Sequence, residues 1–184
     1  MAFLTEKGIS NDNRNYKNPV WNAHTAKFFL AETEEEALGL VNAYGSDYVI
    51  FDVGVLTRLN SFAIYAYQTV DSRDPRISRY FGNMVKCQQT VKPLTGEIKY
   101  TCGGDVFDEQ QISAIPTTWT NTPLQLMDGR TPLFIYREED YSAIYIFNAA
   151  VNKTVVAKLI FNDPSITHFR KAFDNKKVKA YEIV

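Results

Sequence analysis

Thr33, followed three residues later by Glu36, marks the start of a helix. In that capping box the threonine hydroxyl accepts the Glu36 amide while the Glu36 carboxylate reaches back to the Thr33 amide. Ala37, Leu40, Val41 and Tyr44 then recur at the helical period, and Glu34 to Glu36 sit where the positive end of the dipole favours them. Gly45 supplies a left-handed stop. Residues 47–53, Asp-Tyr-Val-Ile-Phe-Asp-Val, read as a buried strand directly after it.

The remaining signals divide unevenly. Residues 5–22, with Asn11-Asp-Asn-Arg-Asn15 and Pro19, read as an irregular lead-in. Phe62, Ala63, Tyr65, Ala66 and Tyr67 within 59–70 fit a helix packed on the strand, and 77–84 a further short helix after the Pro75 turn. Beyond Cys87 the chain is extended and punctuated by Gly103-Gly104, Pro116, Pro123, Asp128-Gly129 and Pro132. Residues 133–137, 142–148 and 178–184 read as strands, 155–161 fits either a buried helix turn or a strand, and Asp163-Pro164 opens a short helix through His168, Phe169 and Lys171. With no linker between the parts, the expected class is α+β. It is a single mixed domain with a lead-in over 1–22, a helix-rich part over 23–86 and a strand-rich part over 87–184.

Charge and apolar runs remove several function classes. A net charge of -1 and a pI near 6.1 argue against a nucleic-acid partner, which needs surplus Lys and Arg on one face. The longest apolar runs, such as 142–151, fall well short of the roughly 20 residues of a membrane-spanning helix. Met1-Ala-Phe-Leu passes at once into Thr5-Glu-Lys-Gly without a secretory core, so the polypeptide as given is expected to be soluble. Cys87 and Cys102 flank a Pro93-Leu-Thr-Gly96 turn and fit a β-hairpin. Either the strands pair in register and a disulfide closes, adding about 3 kcal/mol, or two buried thiols remain.

No familiar chemistry is spelled out. His24 and His168 lie far apart and neither is near a cysteine in sequence, so no zinc pattern exists, and Gly103-Gly-Asp105 lacks the continuation of a phosphate loop. Glu138-Glu-Asp140 reads as a solvated turn whose members have no burial to separate their pKa values. Lys176-Lys177 with Lys179 reads as a solvated face. Asn152-Lys-Thr154 is an N-glycosylation sequon. A hydrolase would need a pocket of converging perturbed groups, so no catalytic residue and no metal ligand are assigned in this fragment.

His24-Thr-Ala-Lys-Phe-Phe-Leu-Ala31, Glu34-Glu-Glu-Ala-Leu38, Tyr48-Val-Ile-Phe-Asp52, Ala157-Lys-Leu-Ile-Phe-Asn-Asp163, His168-Phe-Arg170 and Val178-Lys-Ala-Tyr-Glu-Ile-Val184 together resemble the C-terminal globular region of archaeal oligosaccharyltransferase catalytic subunits. The similarity brackets the chain from Phe3 to Val184. It implies a membrane enzyme that moves an oligosaccharide from a lipid phosphate carrier to Asn of Asn-x-Ser/Thr, with this domain on the extracytoplasmic side. Mn2+ or Mg2+ and the activating acids would belong to a membrane part outside this chain, so no cofactor is expected here and the isolated domain is expected to be inactive. The expected partners are an acceptor peptide or protein and, through that membrane part, the lipid-linked oligosaccharide.

The family's Trp-Trp-Asp-Tyr-Gly motif, which binds the Ser or Thr, is absent, and Trp21 is no substitute. The expectation is that the chain begins just after it, with Met1-Ala2 an addition. A second family element, Asp-x-x-Lys-x-x-x-Met/Ile, falls on 52–64, which contains no lysine. The acceptor-binding residues implied there are Asp52, Arg58 and Ser61 as polar contacts and Ile64 as an apolar contact to a Thr methyl, worth about 1 kcal/mol. The alternative reading is an extracytoplasmic carbohydrate-binding or adhesion module, suggested by 14% aromatic residues and the strand-rich second half. A row of exposed aromatic rings would mark it.

Overall fold

The computed structural model describes residues 2–5, 8–11, 19–69, 74–123 and 132–184. The chain runs β1 (Ala2–Thr5), β2 (Gly8–Asn11), α1 (Pro19–Leu30), α2 (Glu34–Asn42), β3 (Tyr48–Asp52), a 3-10 turn (Val53–Thr57), α3 (Leu59–Tyr67) and α4 (Pro75–Ser78). It continues through β4 (Gly82–Val91), β5 (Ile98–Cys102), β6 (Asp105–Asp108), α5 (Glu109–Ser113), β7 (Phe134–Arg137) and β8 (Ala143–Phe147). The last elements are α6 (Ala149–Asn152), α7 (Val155–Ile160), β9 (Phe169–Asp174) and β10 (Val178–Ile183). Among the described residues two five-stranded sheets result, ordered β2-β1-β3-β10-β9 and β6-β5-β4-β8-β7, all neighbours antiparallel. The architecture is α+β in one mixed arrangement.

One aromatic core joins the two sheets. Phe28 and Phe29 from α1, Val49 and Phe51 from β3, Leu56 from the 3-10 turn, Tyr136 from β7, Tyr145 and Phe147 from β8 and Phe161 after α7 are buried in a single cluster. The alternation of a strand decides who enters it: Tyr145 and Phe147 face this core, whereas Ile144 points the other way. There it meets Tyr100, Cys102 and Ile112 of α5 in a second, smaller cluster.

The opening helix and strand form as their local chemistry dictates. Thr33 Oγ1 accepts the Glu36 amide at 3.2 Å, Gly45 takes φ +57°, and Val49 and Phe51 are the buried residues of β3. The box is one residue wider than expected, because the Glu36 carboxylate accepts the Glu32 amide at 3.3 Å rather than that of Thr33. Residues 155–161 resolve as helix α7, started by Thr154, whose hydroxyl accepts the Ala157 amide.

Three local readings are overturned by distant partners. The lead-in is not irregular throughout: β1 pairs with β3 through Ala2↔Ile50 and Leu4↔Tyr48, β2 folds back on β1, and Pro19 opens α1. Residues 12–18 of it lie outside the described residues, as do Val70 and the Asp128-Gly129 turn. Residues 77–84 do not form one helix. Asn148 donates from Nδ2 to Arg79 O at 2.6 Å and exchanges bonds with Phe81, drawing the chain straight into β4 after a single turn. Residues 163–171 are likewise a turn and then a strand. Asp163 Oδ1 accepts the Ser165 amide at 2.9 Å, and Glu34 Oε1 accepts the amides of Thr167 and His168 at 2.8 and 2.6 Å, pulling the backbone extended into β9.

That Glu34 anchor carries a pH dependence. Burial opposes its charge, but hydrogen bonds from His168 and Thr167 and the neighbouring His168 ring hold its pKa below the ordinary glutamate range. A depressed folded pKa stabilises above the unfolded value, about 4.3, and the stability is lost as pH falls through the folded value. In Glu34→Gln the acid limb of a stability-against-pH curve should flatten relative to the parent, the two converging at low pH. Parallel limbs would contradict the assignment.

Candidate functional site

Asp52 is the exposed last residue of β3, and Arg58 stands exposed between the 3-10 turn and α3. The tight turn between them bends their side chains over Gly54. A Cβ placed there would lie 2.7 Å from Asp52 Oδ1 and 3.6 Å from Arg58 Nη2, so a carboxylate and a guanidinium each approach Gly54 and leave no room for a side chain there. Ser61 is exposed in the first turn of α3 and donates its amide to Arg58 O at 2.9 Å. Ile64 is half-buried and packs on the main core, leaving only part of its side chain for an incoming methyl group.

Arg58, Ser61 and Ile64 follow at three-residue spacing and therefore share one side of the α3 entry. The structure thus places Asp52 and Arg58 on either side of Gly54, without an ion pair between them, and Ser61 and Ile64 along the adjoining helix. Sequence reasoning missed two members of this surface. Gly54 is one, and its closeness to charged groups has no sequence signal. The other is Tyr65, 57% exposed and one helical turn beyond Ser61, which helical spacing alone would have shown.

Other candidate groups are accounted for by the fold. The Asn152 side chain of the sequon is 1% exposed: its Oδ1 accepts the Tyr136 hydroxyl at 2.5 Å and its Nδ2 donates to Thr120 O at 3.1 Å. Its backbone oxygen accepts Trp119 Nε1 at 3.0 Å, and burial pushes the Tyr136 hydroxyl up to about 12. Asn152→Ala should cost about 2 kcal/mol by stranding these buried groups, read from a urea unfolding midpoint. The folded protein should also accept no glycan at this position, and a glycosylated native form detected by mass would contradict the burial.

Two members of the acidic turn are tied to fixed partners. Lys176 and the Ser142 side chain and amide hold Asp140 down to about 2, while Glu138 Oε1 accepts the Tyr145 hydroxyl at 2.6 Å. The lysine face is not wholly solvated. Lys176 and Lys177 are exposed, but Lys179 shares the inward side of β10 with Tyr181 and is 8% exposed. Cys87 and Cys102 are directly paired across β4 and β5 and form a disulfide.

Among the described residues no group of three or more His, Cys, Asp or Glu is placed to hold a metal ion, and no helix is long and apolar enough to cross a membrane. Among the described residues the exposed aromatic side chains Tyr48, Tyr65, Phe81 and Phe173 belong to separate segments of the chain. No protein-family model matches the chain, and a search of curated proteins finds no match.

Proposed function

We propose that this chain is the C-terminal globular domain of an oligosaccharyltransferase catalytic subunit. It helps to recognise the Asn-x-Ser/Thr acceptor through Asp52, Arg58, Ser61 and Ile64 and depends on a separate membrane part for Mn2+ or Mg2+ and for glycan transfer. The observation that carries this reading is the pairing of β3 with β10, Val178↔Asp52 through Glu182↔Tyr48. Two of the segments that resemble the family, 130 residues apart in the chain (178 minus 48), are hydrogen-bonded neighbours, and the proposed acceptor residues begin where that pairing ends. The disulfide is in keeping with an oxidising, extracytoplasmic setting.

In this role Ile64 would bear on a Thr methyl, Ser61 would offer a hydroxyl to the acceptor backbone, and Asp52 and Arg58 would each hold one of its polar groups. The chain incubated with lipid-linked oligosaccharide and a sequon peptide should give no glycopeptide. Sequencing the gene upstream should reveal Trp-Trp-Asp-Tyr-Gly after a multi-span region. Turnover by the isolated chain, or an upstream region without that motif, would defeat the proposal.

A further inference from the structure

Between the turn joining β7 to β8, the end of α7 and the β9–β10 hairpin lies a cleft of about 250 Å³. It is slightly smaller than the roughly 300–1,000 Å³ of drug-sized pockets, so its natural content is one small group. Four cationic side chains line it: Arg137, Lys171, Lys176 and Lys179. Of the acids around them, all but Glu139 are engaged. Asp174 Oδ2 accepts Lys179 Nζ at 2.6 Å and Lys171 Nζ at 3.3 Å, so two ammonium groups share one carboxylate oxygen. Asp140 takes Lys176 at 2.6 Å, and Glu138 is turned to the Tyr145 hydroxyl. Glu139 remains on the exposed rim.

Arg137 is the exception. Its guanidinium lies 4.5 Å from the centre of the Tyr141 ring and donates through Nη1 only to the carbonyls of Glu138 and Glu139, at 3.3 and 3.4 Å. Among the described residues it has no carboxylate within ion-pair distance, and its Nε is buried without an acceptor. A planar fork with an unused donor, beside two ammonium groups that share one acid, lacks an oxyanion.

We propose that this cleft binds a small oxyanion, a carboxylate or phosphate group, between Arg137 and the Lys171 and Lys179 ammonium groups. Arg137 supplies a guanidinium charge with no carboxylate of its own. Lys179, buried and fixed, sets the inner charge, and Lys171, more exposed, turns from Asp174 to close over the bound group. The assignment stands on the cleft's own charges, whatever the acceptor surface does.

The test is a titration of the folded protein with sodium phosphate and, separately, sodium acetate, against sodium chloride at matched ionic strength, followed by backbone amide shifts. Saturable shifts confined to residues 137–139, 162, 171 and 174–179 are expected with at least one oxyanion. A tighter phosphate assigns a phosphate-bearing ligand, a tighter acetate an acidic side chain or chain end. Arg137→Gln should weaken binding about tenfold or more, Lys171→Gln should weaken it without disturbing the core, and the remote Lys92→Gln should leave it unchanged. Shifts that chloride reproduces, or saturable binding that survives both Arg137→Gln and Lys171→Gln, would overturn the proposal.

Discussion

Gly82→Ala is expected to cost about 3 kcal/mol or more, although it adds a single methyl group. Gly82 is the first residue of β4, where the strand passes over the 3-10 turn, and a Cβ there would stand 2.2 Å from the Leu56 carbonyl oxygen and 3.4 Å from Phe147 Cδ1. The obstacle is backbone, so no rotamer change relieves it. Either β4 lifts from the turn, breaking the Gly82↔Phe147 pairing, or Leu56 leaves the core. Gly39→Ala is the internal comparison: it lies mid-helix in α2 with nothing within 4 Å of its Cβ position, and should gain about 0.5–1 kcal/mol. Urea midpoints moving in opposite directions are the expected result. Equal midpoints for the two variants would mean that β4 does not approach the turn as described.

Breaking the Cys87–Cys102 bond should lower stability by about 3 kcal/mol, the loop-closure effect for the 15-residue separation. The bond sits where β4 changes partner. Residues from Gly82 to Lys86 pair with β8, whereas Cys87 to Val91 pair with β5. Beyond it the hairpin projects from the sheet, with Val91 half-exposed and Leu94 100% exposed. Reduction should therefore lower the thermal midpoint and release amide protection first over residues 88–99, while Phe147 and its neighbours stay protected longest. A Cys87→Ala/Cys102→Ala double variant keeps apolar side chains in the smaller cluster and should show the same pattern. Coincident midpoints with and without reductant would refute the stabilising role.

The legible parts of the fold were those settled within one helical turn. Thr33, Glu36 and Gly45 decide α2 by local bonds, and the alternation in β3 decides which side is buried. The misread parts were decided by residues far away: Asn148 straightens 79–82, Glu34 straightens 167–168, and β3 recruits the first residues as a strand. Asp52, Arg58, Ser61 and Ile64 were named from the family element laid on 52–64, and the approach of the Asp52 and Arg58 side chains to Gly54 depends on the geometry of one tight turn that the sequence does not spell out. The oxyanion cleft had no sequence signature at all, since Arg137 and Lys179 come together only when two turns from different sheets face each other. Lys179 was hidden inside a lysine cluster, although its alternation with Tyr181 marks it as inward-facing.

The register of the first sheet has a mechanical consequence. Ala2 and Ala180 both stand opposite Ile50, and β1 and β10 each run antiparallel to β3, so they point the same way on its two sides. A pull that draws Ala2 and Val184 apart therefore loads all three strands lengthwise. Their cross-strand hydrogen bonds must yield together in shear rather than open one after another like a zip. Stretched by its ends, the domain should resist through this three-strand clamp first, and the second sheet should give way only after it slips.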